Sequence, residues 1–300
     1  MPAVSIVTAT YNRGNVLRYT IESLLASTFA DWELIVAGDA CTDDTADVVA
    51  SFADPRIRFV NLERNHGEQS APNNAGVALA SGKYIAFLNH DDLWTREHLA
   101  VCLGEIERAH ADVVFTLTIA ISGDDVFLTG LTRNGSYDRI YGAPASSWLV
   151  RRDALERVGP WRDARTIVES PSQDWLLRAS KAGLAIRAIP RATVIAVQSA
   201  GDRNSYRDRL SARNRQCADS LRDDPHYVEK LLARIAIRES LRWRGTSVAP
   251  LLTRAAKNVF LRFASLTGSH PLALRTRKRG AAVNRLRALR GLPPLGERTS

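Results

Sequence analysis

Cysteine is scarce in this chain. Cys41, Cys102 and Cys217 are odd in number, far apart and in no metal-ligand spacing, which argues against a disulfide framework and against a zinc site and fits reduced thiols. No apolar run approaches the length that spans a bilayer, and the chain enters the strand-like Val4-Ser5-Ile6-Val7 without a secretory apolar segment. A cytoplasmic location is therefore expected. Two glycine signatures are missing as well. No Gly-x-Gly-x-x-Gly follows the first strand-like segment and no Gly-Lys-Ser/Thr phosphate loop occurs, which argues against a dinucleotide-dependent oxidoreductase and a P-loop enzyme.

A hydrophobic content of 45% over 300 residues is enough for one large α/β core and a smaller appendage. The net charge of +9 is unevenly placed: residues 227–300 carry 16 Lys/Arg against 3 Asp/Glu, a balance of +13, and residues 1–226 a balance of −4. Two regions with different partners are implied.

Val4–Thr8, Trp32–Ala37, Ile57–Leu62 and Tyr84–Leu88 read as strands, with helices at about Val16–Ala26, Thr45–Phe52, Pro72–Ala80 and Arg96–Arg108 between and after them. In the first helix Leu17, Ile21, Leu24 and Leu25 recur at helical spacing and predict its buried stripe. Pro72 near a first turn and Ser81-Gly82 at an end delimit the third. Regular alternation through the first ~115 residues is the pattern of an α/β fold with a largely parallel, doubly wound sheet.

In such sheets ligands bind outside the carboxyl ends of the strands. The loops there carry Tyr11 and Arg13, then Asp39, then the adjacent pair Asp91 and Asp92. Two neighbouring carboxylates repel unless a cation or sugar hydroxyls lie between them, and hard divalent ions that travel with diphosphates suit such a pair. Tyr11 can stack on a base, Arg13 can approach phosphate oxygens, and Asp39 can accept a hydrogen bond from a ring N–H. Together they describe a nucleotide pocket. Each also has a plainer reading: Tyr11 in packing, Arg13 in solvent, Asp39 in a turn, and Asp91 or Asp92 capping the helix that follows. His90 could touch a metal, although a lone loop histidine is more often a spectator.

Three motifs in order resemble the family 2 glycosyltransferases of GT-A fold over about residues 4–183. They are Val4-Ser5-Ile6-Val7-Thr8-Ala9-Thr10-Tyr11-Asn12-Arg13; Trp32-Glu33-Leu34-Ile35-Val36 leading to Asp39 and Thr42-Asp43-Asp44-Thr45; and Ala80-Ser81-Gly82-Lys83-Tyr84 leading to Asp91-Asp92. The resemblance implies that Thr8, Tyr11, Arg13, Asp39 and Asn73 bind the donor nucleotide, that Asp91 contacts the ribose, and that Asp92 binds Mn²⁺ or Mg²⁺ on the diphosphate. A metal there would neutralise charge growing on the departing nucleoside diphosphate.

Downstream, Val113–Ile121 reads as one or two strands and 122–142 as loop. Ala145–Val150 reads as a strand entering a helix over Arg152–Val158. Trp148 and Trp161 offer faces to sugar rings or to the core. Asp174, at the start of a helix, is the expected catalytic base, since an inverting transfer needs one carboxylate to take the acceptor's proton; helix-end stabilisation is its alternative role. Gln173 stands where relatives often carry Glu, and Glu169 is the second candidate base. Leu184–Ile189 and Thr193–Val197 read as closing strands, and 199–205 as a loop whose Arg203 could fold over the donor.

Helices are expected over Tyr206–Leu221, Tyr227–Trp243, Val248–Leu266 and about Ala281–Leu289, basic and interspersed with apolar residues. They suit either an anionic membrane surface or packing on the catalytic domain. Nucleic acid is not an expected partner, because no recognised module accompanies the charge. The expected organisation is a catalytic domain over residues 1–205, its nucleotide-sugar half ending near 115, followed by a C-terminal helical extension over 206–300. The expected function is inverting, metal-dependent sugar transfer from a nucleoside diphosphate, UDP-type, to a sugar or lipid-linked acceptor in polysaccharide or glycolipid assembly, in the cytoplasm or at the inner face of the membrane. Its rivals are a non-catalytic nucleotide-sugar-binding scaffold and a nucleotidyltransferase.

Overall fold

The computed structural model describes residues 1–132, 134–137, 142–198, 203–244 and 278–296. The helix expected over Val248–Leu266 lies outside them, as does most of the loop expected to act as a lid. Arg203 is exposed at the surface.

The first third alternates as the pattern predicts. β1 (Val4–Thr10), α1 (Gly14–Leu25), β2 (Trp32–Gly38), α2 (Thr45–Ala50), β3 (Ile57–Asn61), α3 (Ser70–Leu79) and β4 (Tyr84–Phe87) follow one another. Strand order is β3-β2-β1-β4, all parallel. Alternate residues of β1 serve two cores. Val4 and Ile6 pack with Leu17, Ile21 and Leu24 of α1 on one face, while Val7 packs with Ile85, Phe87, Trp148 and Trp175 on the other. Leu25, expected in the α1 stripe, is instead exposed at the helix end. α3 lies so close to β1 that a Cβ on Gly76 would come within 2.4 Å of a Val7 methyl.

Beyond β4 the sheet becomes mixed. β5 (Asp92–Trp94), α4 (His98–Arg108), β6 (Val113–Ser122), β7 (Asp125–Thr129), β8 (Trp148–Arg151), α5 (Arg152–Val158), α6 (Pro171–Lys181) and β9 (Ile186–Val197) follow. The path continues β4-β8-β6-β9-β5, with β7 on β6. β8 is antiparallel to both β4 and β6, β9 is parallel to β6, β5 pairs antiparallel with β9, and β7 pairs antiparallel with β6. Three details differ from expectation. β7 forms inside the segment read as loop, because its register with β6 buries Val126 against Ile119 and Ile121. The two closing strands are one strand, β9, since β6 offers a continuous partner with a bulge near Leu117. Asp92 opens β5 rather than capping a helix, and α4 starts only at His98.

Trp148, Trp161 and Trp175 are all buried, Trp148 and Trp161 against Phe87. Neither tryptophan proposed as a sugar platform is open to a ligand.

C-terminal to the sheet lie α7 (Ala212–Asp223), α8 (Tyr227–Arg244) and α9 (Ala281–Arg290). α7 begins later than the predicted Tyr206, because 203–209 form turns pinned under Arg13. α8 packs on the sheet through Leu231 and Ile235, with Arg238 paired to Asp125 of β7. Its outer face exposes Ile237 and Leu241. No helix among the described residues is long and apolar enough to cross a membrane.

Candidate active site

The carboxyl ends of β1, β2 and β4 open on one cavity of about 410 Å³. Ala9, Thr10 and Tyr11 line it from β1, Asp39 from β2, and Asn89, His90 and Asp91 from the end of β4. The first turn of α6 adds Ser170, Pro171 and Ser172, the loop before α3 adds Gly67, Glu68 and Gln69, and Tyr206 lies on the wall. The remaining wall was not foreseen. It is α9, through Val283, Leu286, Arg287 and Arg290.

Asp39 is nearly enclosed and organises the loop before α3. Its two oxygens accept from the backbone N–H groups of His66 and Gly67, each at 2.8 Å. The His66 ring stands 3.2 Å from the same carboxylate. Asn12, in the left-handed region at φ 49°, accepts from the Thr42 N–H at 2.8 Å and so ties the β1 and β2 loops together. Asp43 of the same motif accepts from Gly14 and Thr45 and pairs with Arg209, a scaffolding role.

The two adjacent carboxylates point to different places. Asp91 lies on the cavity and also on a second one, of about 290 Å³, that Arg13 and Asn214 line from behind. Asp92 does neither: its Oδ2 accepts from Asn89 Nδ2 at 2.8 Å and from the Ser146 hydroxyl, inside the protein. Burial and the negative charge of Asp91 push the Asp92 carboxyl up to about 7, opposed by these two hydrogen bonds. The expected metal carboxylate is therefore turned into the core, and the expected ribose contact is the one that faces the cavity. The cause is the pleat: Asp92 begins β5, paired with Ala196, so successive side chains point to opposite sides.

His90 is committed elsewhere. Its Nδ1 meets the Ala9 carbonyl at 3.0 Å, so Nδ1 carries the proton and Nε2, 2.8 Å from the Tyr206 hydroxyl, accepts from it. Burial lowers its pKa, in keeping with this neutral tautomer. Thr20 fixes the same turn, its hydroxyl 2.9 Å from the carbonyls of both His90 and Asp92.

Other predicted donor residues are placed unevenly. Tyr11 and Asp39 are on the cavity. Thr8 is fully buried one pleat deeper, with its hydroxyl unpartnered among the described residues, and Asn73 is buried in α3 while its neighbour Pro72 lines the wall. Arg13 does not face the main cavity: its guanidinium donates to the carbonyls of Ser205 and Leu210, both at 2.8 Å. It clasps residues 205–210 and lines the second cavity beside Asp91. Asp174 sits one turn inside α6, with Oδ2 2.9 Å from Arg178 Nε and Oδ1 3.8 Å from Arg162. Arg178 in turn donates to the carbonyls of Val158 and Pro160. Glu169 is half-buried.

Glu68 was missed from the sequence. Burial, with Asp163 and Asp39 nearby, pushes it up to about 7, although the Ser70 N–H at 2.8 Å stabilises its charge. A folded state that holds this proton more tightly than the unfolded chain loses stability as pH rises from the ordinary glutamate range through about 7. Glu68→Gln should flatten that decline, making the variant more stable than the parent by about 1–3 kcal/mol at pH 8 and by much less at pH 5. Urea unfolding at the two pH values measures it, and an equal effect at both would remove Glu68 as the titrating group. The α9 residues carried a signal too: Val283, Leu286, Arg287 and Arg290 share one helical face.

The chain matches the family model described as Glycosyl transferase family 2 over residues 5–159. It belongs to that family. It is 38% identical over 100 residues to the putative teichuronic acid biosynthesis glycosyltransferase TuaG of Bacillus subtilis (strain 168), covering 33% of this chain and 39% of that protein. To the UDP-Glc:alpha-D-GlcNAc-diphosphoundecaprenol beta-1,3-glucosyltransferase WfgD of Escherichia coli it is 40% identical over 96 residues, 32% and 38% of the two chains. The chain thus spans less than two-fifths of the length of these relatives. Among solved structures, S. aureus TarS 1-349 in complex with UDP-GlcNAc superposes with a TM-score of 0.58 at 20% identity, covering 65% of this chain and 58% of that one. The mannosyltransferase PcManGT from Pyrobaculum calidifontis, in complex with GDP-Man and Mn²⁺, gives 0.55 at 16% identity over 92% and 87%. At these identities the structural likeness speaks for the GT-A fold.

Proposed function

We propose that this protein is an inverting, metal-dependent glycosyltransferase that moves a sugar from a uridine-type nucleoside diphosphate to the hydroxyl of a lipid-linked or saccharide acceptor in polysaccharide or glycolipid assembly. The observation that carries it is the meeting of Tyr11, Asp39 and Asp91 on one cavity at the carboxyl edge of the parallel strands. Tyr11 offers a face to the base, and the charged Asp39 loop a set of ring-binding groups. The names of TuaG and WfgD, with the UDP-GlcNAc of the TarS complex, support the donor and acceptor classes.

A divalent ion fits the cavity in one way. Among the described residues no three His, Cys, Asp or Glu side chains converge, so a cation there would rest on Asp91 and take its other ligands from the diphosphate and water. Mg²⁺ and related hard ions are commonly held by one or two carboxylates plus substrate phosphates, and PcManGT was solved with Mn²⁺. When bound, the ion supplies charge neutralisation for the leaving diphosphate. The role assigned to Asp92 from the resemblance passes to Asp91, and Asp92 fixes the turn from Asn89 to itself through Asn89 and Ser146. Asp174 takes the acceptor proton. One observation favours a second reading for that step: two arginines hold Asp174, whereas Glu169 makes no hydrogen bond or ion pair among the described residues.

We assign the catalytic unit to residues 1–205, with the helical region after it contributing to the donor wall. The apolar outer face of α8, exposing Ile237 and Leu241 on a basic helix, supports contact with an anionic membrane surface. Thermal unfolding with UDP, GDP and other nucleoside diphosphates, each with Mn²⁺ and with EDTA, tests the donor reading. A ligand at ~100 times its dissociation constant should add about 2.7 kcal/mol. A metal-dependent rise with UDP is expected, and no rise with any nucleotide would move the protein out of the transferase reading.

A further inference from the structure

Arg290 has an unusual position for a basic side chain. It lies on the wall of the main cavity, yet forms no ion pair or hydrogen bond through its side chain among the described residues, and its Nε is enclosed without a partner. The guanidinium stands 4.6 Å from the centre of the Tyr206 ring, which Arg13 also approaches, at 4.9 Å. Asp91 and Asp92 favour its charged form from a distance. A buried donor left unsatisfied costs free energy, so a planar fork of N–H groups facing a cavity is best explained by an anion that completes it.

The helix end that carries the fork is also anchored. The Arg290 carbonyl ends α9 by accepting from the N–H groups of Tyr206 at 3.2 Å and Arg207 at 3.4 Å. Gly291 follows at φ 74°, and a Cβ there would come within 2.9 Å of the Asn204 side-chain oxygen. One turn earlier, Arg287 donates to the Gly67 carbonyl and, through Nε at 2.6 Å, to the Pro293 carbonyl. That ties α9 to the loop whose amides Asp39 holds. α9 is therefore built into the pocket.

We propose that Arg290 is a donor-binding residue whose guanidinium takes the non-bridging oxygens of the diphosphate opposite Asp91, so that the C-terminal segment of the chain completes the donor site. This rests on the donor reading above. In the transfer, the bond between sugar C1 and the diphosphate oxygen breaks with its electron pair left on that oxygen. The acceptor oxygen bonds to C1 and its proton passes to the base. The negative charge that the diphosphate gains is then shared with Arg290, and Arg287 adds a second positive charge at the wall.

Calorimetric titration of the full chain with UDP, UMP and uridine, and in parallel with GDP, GMP and guanosine, all with Mn²⁺, tests it. Arg290→Gln should weaken the diphosphate about ten- to hundredfold and change the nucleoside less than about twofold, as loss of a charge-assisted contact to phosphate requires. Arg290→Lys, which keeps the charge and loses the fork, should recover part of the difference; it carries the test by itself if the glutamine variant does not fold. Unchanged diphosphate affinity, or equal losses for diphosphate and nucleoside, would make Arg290 a packing residue and overturn the proposal. Wild-type chain that binds neither diphosphate would remove the donor reading and this inference with it. Wild-type binding that Arg290→Gln leaves intact would remove only this inference.

Discussion

Replacing Asp91 by asparagine should lower sugar transfer by about 10³-fold or more and erase the part of nucleoside-diphosphate stabilisation that EDTA removes. Of the adjacent pair after β4, Asp91 is the carboxylate that lines the cavity, and among the described residues no group of three His, Cys, Asp or Glu side chains is placed to hold a cation without it. Its neighbour should behave differently. In Asp92→Asn the side-chain oxygen can still accept from Asn89 and from the Ser146 hydroxyl, and a buried charge beside Asp91 is removed. Activity within about tenfold of the parent is expected, with no loss of folded stability. Transfer assays and melting with UDP and Mn²⁺ on the two variants give a direct comparison. A silent Asp91→Asn beside an inactive Asp92→Asn would return the metal to Asp92.

The second large effect concerns the proton. Asp174→Asn should reduce kcat by about 10²–10⁴-fold while UDP binding stays near the parent value, the pattern of a lost general base. The substitution has a structural side, because Asp174 anchors Arg178, which holds the carbonyls of Val158 and Pro160. Asparagine keeps an acceptor for Arg178, so a fall in kcat with an unchanged melting temperature assigns chemistry and not scaffolding. Glu169→Gln is the companion variant. Should it abolish transfer while Asp174→Asn remains active, the base is Glu169, and the two arginines at Asp174 are there to hold the loop before α6.

These outcomes turn on a distinction between neighbours in the chain and neighbours in space. The alternation of strands and helices to β4 was legible, because buried parallel strands are short apolar runs and the helices between them carry one apolar stripe. Ile6, Leu34 and Ile85 are all buried as that pattern requires. The pocket edge was legible for the same reason: Tyr11, Asp39 and Asp91 each follow such a run. Past β4 the pattern was weaker. β7 is placed by its partner β6: its apolar residues Val126, Phe127 and Leu128 run consecutively instead of alternating with polar ones, and Phe127 is exposed.

The sequence by itself determined the family, the parallel half of the sheet and the strand ends where ligand-binding groups gather. Local periodicity and short motifs encode all three. Only the tertiary structure decided which of two adjacent aspartates meets the cavity, because the pairing of β5 with β9 sets the direction of each side chain. It also decided that Arg13 clasps residues 205–210, and that Arg287 and Arg290, about 200 residues after the nearest strand-end carboxylate in the chain, form the opposite wall of the pocket. Those contacts arise from the return of a distant helix onto the sheet edge. Burial, hydrogen-bond geometry and the field of neighbouring charges select them, and none of these is a property of any stretch of sequence read alone.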